Sequence, residues 1–584
     1  NMKNYSIVTV GLLAILMFSV SLSCVSAQAM HSTNGYFSVS DSAKTKTDRL
    51  IQKYVENDTP GASVLVMLQG KVLYQNGYGL ANLTHQIPFT ASTPTNIGST
   101  SKHFTAFAVL LLQEQGLLNI DDDIRKYMPE LPDFGKTVTI RHLLSHTSGY
   151  REFLNTLIIT GTHPSKVYTD EQILRLVQRQ STLQNDPGSE FNYNNTGFYI
   201  ARLLVERLTD TPFDLWTRVN MFEPLGMMDT RYRATPSTVI PGRSAGYAQK
   251  EGGEFDEVQD LAGGMGPGGI YTTMDDFAKW VKNFKEHRLG SNETHELLTT
   301  SNILTTGTPS GYGLGLFIDT FRGQRYFHHG GADMAHRSSF MYFPDIDAAI
   351  VTQSNLSTFP GNLATQIAEY FLDDFFDSVA DDSLISTSEK APEDEIEFMY
   401  DVNKFDSLVG KYELVIAPGF ILTFSRDGDK LWTQATGQSQ IGIKATSDST
   451  FSLIGVAANL TFHLNDDGSA DKLTLHQNGN HLALKIEFKL TPDEKLEYAG
   501  SYFSSEIETM YHVVLSGDNM QLEHYHISEP IALNPSRKDY FTGSFPISSI
   551  EFMRNDAGKI LGFKASNGRS RDIFFQKVEW ETRN

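Results

Sequence analysis

Ser99 and Lys102 stand three positions apart in the stretch "STPTNIGSTSKHFTAFAVLLLQEQG" (residues 92–116), where an apolar helix is expected to begin. Serine alone is a weak nucleophile and needs a base within reach. Positions i and i+3 of a helix share a face, with Cβ atoms about 5–6 Å apart, so the Lys102 amine can reach the Ser99 hydroxyl. Burial disfavours an ammonium and leaves an amine free to accept a proton. Helix capping also explains hydroxyl residues at a helix start, but it does not explain the lysine one turn later. The same spacing recurs at Ser469 and Lys472, inside a predicted hairpin turn, where no chemistry is expected.

Two further groups bear on the same chemistry. In "DPGSEFNYNNTGFYIARLLVERL", Tyr193 and Asn195 fall in a loop just before an amphipathic helix. A phenol beside an ammonium ionises more readily and can carry protons to and from a serine oxygen. Tyr74 and Asn76 repeat the spacing, but they read as hairpin residues. In "RYFHHGGADMAH", a strand ending in Gly330-Gly331 allows a substrate backbone to come close and leaves the Ala332 N–H to face an oxyanion. His329 suits either binding a carboxylate or polarising the site. His328 and His329 alternate across the strand, so only one of them faces the cleft.

Ser99-Thr100-Ser101-Lys102, Tyr193-Asn194-Asn195 and His329-Gly330-Gly331, in that order, resemble the motifs of the penicillin-recognising serine hydrolases. The match is nearer to their class C β-lactamase-like branch, which includes D-Ala-D-Ala carboxypeptidases, D-amino-acid peptidases and esterases. "LLNIDDDIRKYMPELP" (117–132), "TIRHLLSHTSGY" (139–150), "FEPLGMMDTRY" (222–232) and "GGIYTTMDDFAKW" (268–280) extend the resemblance over roughly residues 45–376. The resemblance implies that Ser99 forms an acyl-enzyme and that Lys102 and Tyr193 share the base and acid roles, the order of which stays open. It implies that Asn195 holds Lys102 and the substrate amide, that His329, Gly330 and Gly331 border the substrate, and that the N–H groups of Ser99 and Ala332 form the oxyanion hole. It implies no cofactor and no metal. The departure lies at His329, where many relatives carry lysine; a neutral imidazole gives a weaker positive field. The expected activity is therefore hydrolysis of small amides, peptides with D-residues or esters, rather than efficient β-lactam cleavage. The alternative is a protein that keeps the fold but serves in binding or scaffolding.

Other chemistries fit less well. His142 and His146 are spaced i, i+4, but no glutamate follows His142 as a zinc-protease helix requires. His524 and His526 share a strand face, which is usually plain exposed strand. No Gly-x-Ser-x-Gly elbow occurs. Asn57, Asn82, Asn194, Asn292, Asn355 and Asn459 head glycosylation sequons, which read as chance because Asn194 lies inside the proposed site.

The elements that must position these residues follow from the hydrophobic pattern. Residues 61–82 read as a hairpin around Gln69-Gly70, 99–116 as a helix, and 138–208 as mostly helical. A glycine-rich loop leads into a capped helix over 263–284; strands return at 311–319, 325–331 and 338–354, and a helix follows at 361–376. Strands at both ends with helices between predict an α/β fold: one antiparallel sheet closed by both ends of the domain, flanked by helices, with an inserted helical region. Residues 377–397 hold eight acidic residues, one lysine and one proline, the composition of a linker. Beyond it, Gly410/Gly500, Tyr412/Tyr502, Phe462/Phe552 and Gly468/Gly558 each stand 90 apart, marking two similar small antiparallel β-domains. The repeat leaves two roles open: bordering the cleft so as to limit substrate length, or mediating assembly into a homo-oligomer.

The expected organisation is a signal peptide at 1–27, a hydrolase domain at 28–376, an acidic linker at 377–398, and β-domains at 399–488 and 489–584. The N-terminal segment has one lysine, an apolar run from Ile7 to Val20, and small residues ending at Ala27, which predicts export, with cleavage after Ala27. Cys24 is the only cysteine, so the exported protein is expected to have neither a disulfide nor a thiol catalyst; lipid anchoring there is the lesser alternative. The apolar run is short for a membrane span, and none is expected later. A net charge of −21 argues against nucleic acid as a partner, because phosphate binding needs clustered lysine and arginine. The partner implied is a small-molecule or peptide substrate.

Overall fold

The structure, a computed structural model, describes residues 41 to 578 except 164–165, 167, 260–263, 378–397, 399, 418–419, 437, 439, 455, 457, 478 and 487. The expected signal segment with Cys24, and nearly all of the acidic linker, lie outside the described residues.

Helix α1 (Asp41–Ile51) leads into the hairpin of β1 (Ala62–Leu68) and β2 (Lys71–Tyr78), whose turn residues Gln69 and Gly70 have φ of 49° and 71°. Two positive φ values are what a tight hairpin turn with the right-handed twist of its strands demands. The chain returns to the same sheet after about 240 residues, with β3 (Phe317–Phe321), β4 (Gln324–Ala332), β5 (Arg337–Phe343) and β6 (Ala348–Ser354). The sheet is antiparallel in the order β3-β4-β5-β6-β1-β2, and the pairing Ala62↔Ser354 joins its first strand to its last. Strand β1 is buried on both faces, so side-chain alternation divides it between two cores. Val64, Val66 and Leu68 pack with Leu50, Ile367 and Leu372 on the face covered by the terminal helices. Leu65 and Met67 face the larger core of the central helices.

The middle of the chain is helical, as the pattern predicts: α2 (Lys102–Glu114), α3 (Ile140–Leu144), α4 (Phe153–Ile159), α5 (Asp170–Arg179) and α6 (Thr196–Thr209). Helix α7 (Met274–Glu286) starts where Thr273 accepts a hydrogen bond from the Asp276 N–H, and α8 (Leu363–Leu372) completes the domain. One element differs from expectation. Residues 311–316 are not strand but a loop laid across α2, because a Cβ on Gly313 would stand 2.4 Å from the Leu298 carbonyl and one on Gly315 2.7 Å from the His103 backbone. The alternating glycines that mimic a strand pattern mark close backbone approach instead.

The repeat becomes two closed eight-stranded antiparallel barrels, from Gly410–Leu414 to Asn480–Ile486 and from Gly500–Ser504 to Ser570–Val578. Tyr412 and Tyr502 are fully buried, each donating its hydroxyl to a carbonyl four residues back (Leu408, 3.0 Å; Tyr498, 2.6 Å). Gly468 and Gly558 turn with φ of 81° and 78°. The pair Ser469 and Lys472 lies in one of these hairpins, with the Ser469 hydroxyl held by Asp467.

The second barrel is docked on the helical region. Ile159, at the end of α4, is fully buried within the barrel's own core, and its carbonyl accepts from the Tyr511 hydroxyl at 2.7 Å. A buried ion pair, Arg151–Glu506 at 2.7 Å, closes one side of the interface. The first barrel meets the second through Arg537 and Glu413, 3.4 Å apart.

Candidate active site

The candidate nucleophile Ser99 lies in a 3-10 segment, Gly98–Ser101, running directly into α2. Three of its four residues are held by packing. Thr100 donates to the His329 carbonyl at 3.2 Å and pairs with the Ser338 hydroxyl at 2.9 Å. Ser101 accepts from the Ile270 N–H at 3.2 Å. A Cβ on Gly98, whose φ is +50°, would lie 2.5 Å from the Ala332 nitrogen, and one on Gly331 would lie 1.9 Å from the Ile97 carbonyl. Glycine at both places lets β4 lie against the turn, which brings Ala332 beside Ser99. Thr100 and Ser101 are therefore structural, and Ser99 is the partly exposed hydroxyl of the group.

Lys102 is fully buried, and its Nζ has three oxygen neighbours: Ser99 Oγ at 3.0 Å, Asn195 Oδ1 at 2.8 Å and the Pro267 carbonyl at 2.9 Å. Burial pushes its pKa well below the usual lysine value; the nearby Glu152 pulls the other way and Arg569 adds to the lowering. A neutral amine has two N–H bonds and one lone pair. The two carbonyl oxygens take the N–H bonds, and the lone pair is left for the Ser99 O–H. This arrangement can remove the serine proton.

Tyr193 hydrogen-bonds Ser99 through its phenol, and its ring centroid lies 4.8 Å from Lys102 Nζ. Burial raises its pKa, with the Ser99 hydrogen bond and Arg569 opposing, so the phenol is the protonated partner of the pair.

Asn195 is oriented by a residue that the sequence reading did not single out. Glu152 is fully buried; Oε1 accepts from Asn195 Nδ2 at 2.9 Å, while Oε2 caps α4 by accepting from the Asn155 N–H at 2.8 Å. The amide can thus present only its oxygen to Lys102. Glu152 follows "TSGYR" with no motif to mark it, and what signals it is the end of one helix meeting the start of another.

The expectation that His329 meets a substrate carboxylate needs correction. Its ring is buried, with Nε2 3.2 Å from the Tyr312 hydroxyl and Nδ1 2.6 Å from the Gly330 carbonyl. His146 Nε2 lies 3.2 Å from the same hydroxyl, and its Nδ1 accepts from the Asn194 N–H at 3.1 Å. Donors and acceptors fit in one direction only: Asn194 N–H to His146, His146 to Tyr312, Tyr312 to His329, His329 to Gly330. Burial holds both imidazoles well below the usual histidine pKa, so both are neutral. On β4 it is Gly330 and Ala332 that are exposed, while His329 and Gly331 face inward. The imidazole supports the site from below and makes no anion receptor.

A cavity of about 310 Å³ opens beside Ser99, with Asn195 in its wall and Phe153, Leu154 and Leu157 of α4 supplying an apolar side. The discounted histidines have structural partners: His142 closes the cap of α3 with Thr139, and His524 meets the Thr509 hydroxyl at 2.7 Å. Among the described residues no cluster of side chains could hold a metal ion. Asn194 and Asn355 are fully buried, which removes both as glycan acceptors.

Fold and site together define the class: an antiparallel sheet with a partly exposed serine over a buried lysine at the start of a central helix is the β-lactamase/transpeptidase architecture. The chain belongs to the Beta-lactamase family, whose profile matches residues 47–371, more than half of its length. It is 26% identical over 296 residues to the D-aminopeptidase of Gluconobacter oxydans, covering 51% of this chain and 56% of that protein. It is 29% identical over 273 residues to the D-aminopeptidase of Brucella anthropi, covering 47% and 52%. The chain thus spans about half the length of these D-aminopeptidases. Penicillin-binding protein 4* of Bacillus subtilis is 23% identical over 455 residues, 75% of this chain and 96% of that one. Among solved structures, the octameric penicillin-binding protein homologue from Pyrococcus abyssi shares the fold with a TM-score of 0.52 at 23% identity, covering 75% and 99%.

Proposed function

We propose that the protein is a serine acyl hydrolase that forms an acyl-enzyme on Ser99 and cleaves small amides or peptides with D-residues, and also esters. The observation that carries this reading is the environment of Lys102: a fully buried side chain whose Nζ lies within hydrogen-bond distance of Ser99 Oγ as well as of Asn195 Oδ1 and the Pro267 carbonyl, with burial lowering its pKa. The Ser99 oxygen attacks the acyl carbon while its proton passes to Lys102 Nζ. The oxyanion is held between the N–H groups of Ser99 and Ala332. Tyr193 gives its proton to the leaving nitrogen and is recharged from the Lys102 ammonium, and water then releases the acyl group by the reverse relay. A half-buried phenol with a raised pKa supports Lys102 as the first base. The D-aminopeptidase relatives support the substrate class. The neutral His329 argues for slow β-lactam turnover. With every element of the relay in contact, the scaffolding alternative is the less economical reading.

Export with a cleaved N-terminal segment, and assembly into a homo-oligomer, belong to the same proposal; the octameric Pyrococcus abyssi relative prompts the second. Mass spectrometry after incubation with a fluorophosphonate tests the central claim. A single adduct on Ser99, absent from Ser99→Ala, is the expected result, and an unlabelled but folded protein would overturn it. Rates on D-aminoacyl amides, p-nitrophenyl esters and nitrocefin then rank the substrates, and sedimentation of the full chain reads its assembly.

A further inference from the structure

The second barrel places one residue against the catalytic relay. Its last hairpin pairs Asn567 with Ser570 across a two-residue loop, Gly568-Arg569, in which Gly568 takes φ of +51°. Positive φ at the first loop position is what a tight type II′ turn asks for. This hairpin is clamped to the hydrolase domain on both sides of its tip. Ser570 is fully buried and donates to the Glu152 carbonyl at 2.8 Å, pairing also with the Thr156 hydroxyl at 2.8 Å. Asn155 Nδ2 donates to Asn567 Oδ1 at 3.2 Å. Gln184 holds both the Arg569 carbonyl and the Arg571 N–H, at 3.2 and 3.0 Å.

The clamp directs Arg569 over the Tyr193 ring, with its guanidinium carbon 4.8 Å from the ring centroid. Its side chain is exposed and, among the described residues, has no hydrogen bond or ion pair; the neighbouring Arg571 takes Glu190 at 2.9 Å instead. Glu152, the carboxylate that acts on Lys102 and Tyr193, is buried and taken up by Asn195 and the Asn155 N–H, so the Arg569 guanidinium has no direct carboxylate partner among the described residues. The other cationic or basic groups at the site are engaged: Lys102 is buried and committed, the His329 ring is saturated, and Arg233, in the cavity wall, is buried and donates to the Pro236 carbonyl.

Position fixes which part of a substrate Arg569 meets. The cavity beside Ser99 has the apolar side chains of α4 on one side and Arg233 and Asp333 elsewhere in its wall, and it includes neither Tyr193 nor Arg569. The acyl group fits there, and the leaving group faces the phenol that protonates it. In an amino acid the carboxyl carbon lies about 2.5 Å from the nitrogen, so a leaving amino acid brings its carboxylate beside that phenol. Guanidinium matches carboxylate in a two-pronged, charge-assisted geometry.

We propose that Arg569, carried in from the second barrel, binds the carboxylate of the leaving group, so that the preferred substrates are short peptides whose departing residue has a free carboxyl terminus. The inference rests on the acyl-enzyme reading given above and adds to it a substrate class and a specificity-determining residue. Arg569 also lowers the pKa of Lys102 and Tyr193, as a cation close to both must.

The test uses the full chain and a matched pair of ligands, N-acetyl-D-alanyl-D-alanine and its carboxamide. The concentration of each that halves the rate of fluorophosphonate labelling of Ser99 is measured for wild type, Arg569→Gln, Arg569→Lys and Arg569→Glu. Because each variant is scored by the ratio of the two ligands, changes in the reactivity of Ser99 cancel. Wild type is expected to favour the acid, Arg569→Gln to lose about 10- to 100-fold of that preference, Arg569→Lys to keep part of it, and Arg569→Glu to reverse it. A ratio unchanged in Arg569→Gln, or no protection of wild type by either ligand, overturns the proposal. Failure of wild type to label at all is the different result that sinks the acyl-enzyme reading beneath it.

Discussion

Burial holds the pKa of Lys102 well below the usual lysine value, and this links the proposed catalysis to stability. Its folded pKa is depressed, whereas in the unfolded chain it returns to about 10.4. Between those values the unfolded state binds one more proton than the native state, so stability is full above the unfolded value and falls as pH drops towards the folded one. Wild type is therefore expected to gain on Lys102→Met by about 1.4 kcal/mol for each unit of rising pH in that window. Denaturant titrations at several pH values measure the gap, and a pH-independent difference would contradict a neutral Lys102. The variant should also lose acylation by at least about 10²-fold. Glu152→Gln removes a negative charge that raises the Lys102 pKa, so the acid limb of the kcat/KM profile is expected to move to lower pH. A loss of rate with an unmoved limb would reduce Glu152 to a cap for α4. Tyr193→Phe keeps the ring beneath Arg569 but removes the proton relay, and a fall of about 10²-fold or more in amide hydrolysis, with far-UV circular dichroism unchanged, is expected.

Helix α4 is only one short element, yet it has two faces with different tasks. Phe153, Leu154 and Leu157 line the cavity, while Asn155, Thr156 and Ile159 are held by the second barrel. The Arg151 guanidinium just before it is buried against Glu506 and also donates to the carbonyls of Thr182 and Arg571. Glu506→Ala leaves that cation without its counter-charge and is expected to cost about 3 kcal/mol, read as a lowered denaturation midpoint together with weaker binding in the α4 cavity. That Ser99, Lys102 and Tyr193 meet was legible in the sequence because a candidate nucleophile, base and shuttle need particular residue types at particular local spacings. The strands and the two β-domains were legible through alternation and the 90-residue offset. Glu152, Tyr312 and Arg569 were not, since each acts through a contact between distant segments and none has a local signature. The assignment of His329 failed for a related reason: alternation tells that one of two neighbouring residues faces the cleft, but only the buried Tyr312 hydroxyl decides that the exposed positions are Gly330 and Ala332. Glycine is required at 313 and 315 for backbone clearance and suits 311 for its φ of +72°, and together the three imitate the period of two of a strand.

Hydrolase domain and second barrel complete one another, because Ile159 fills the barrel and the 567–571 hairpin closes over α4. Ile159→Asp puts a charge into an apolar core and is expected to undock the barrel, seen as new proteolytic cleavage near residues 488–500 and a loss of activity larger than the distance of Ile159 from Ser99 would suggest. Retained activity with cleaved chains would show that the barrel is dispensable. Such mutual completion also has a timetable. The hairpin is made roughly 400 residues after α4, a delay on the order of 20–80 s at ordinary rates of translation. During that interval the nascent hydrolase domain carries its nucleophile but lacks the strut behind its acyl wall and the arginine above its phenol. On the proposed reading, the growing polypeptide is expected to acquire its preference for a free carboxylate only once the 567–571 hairpin has been added.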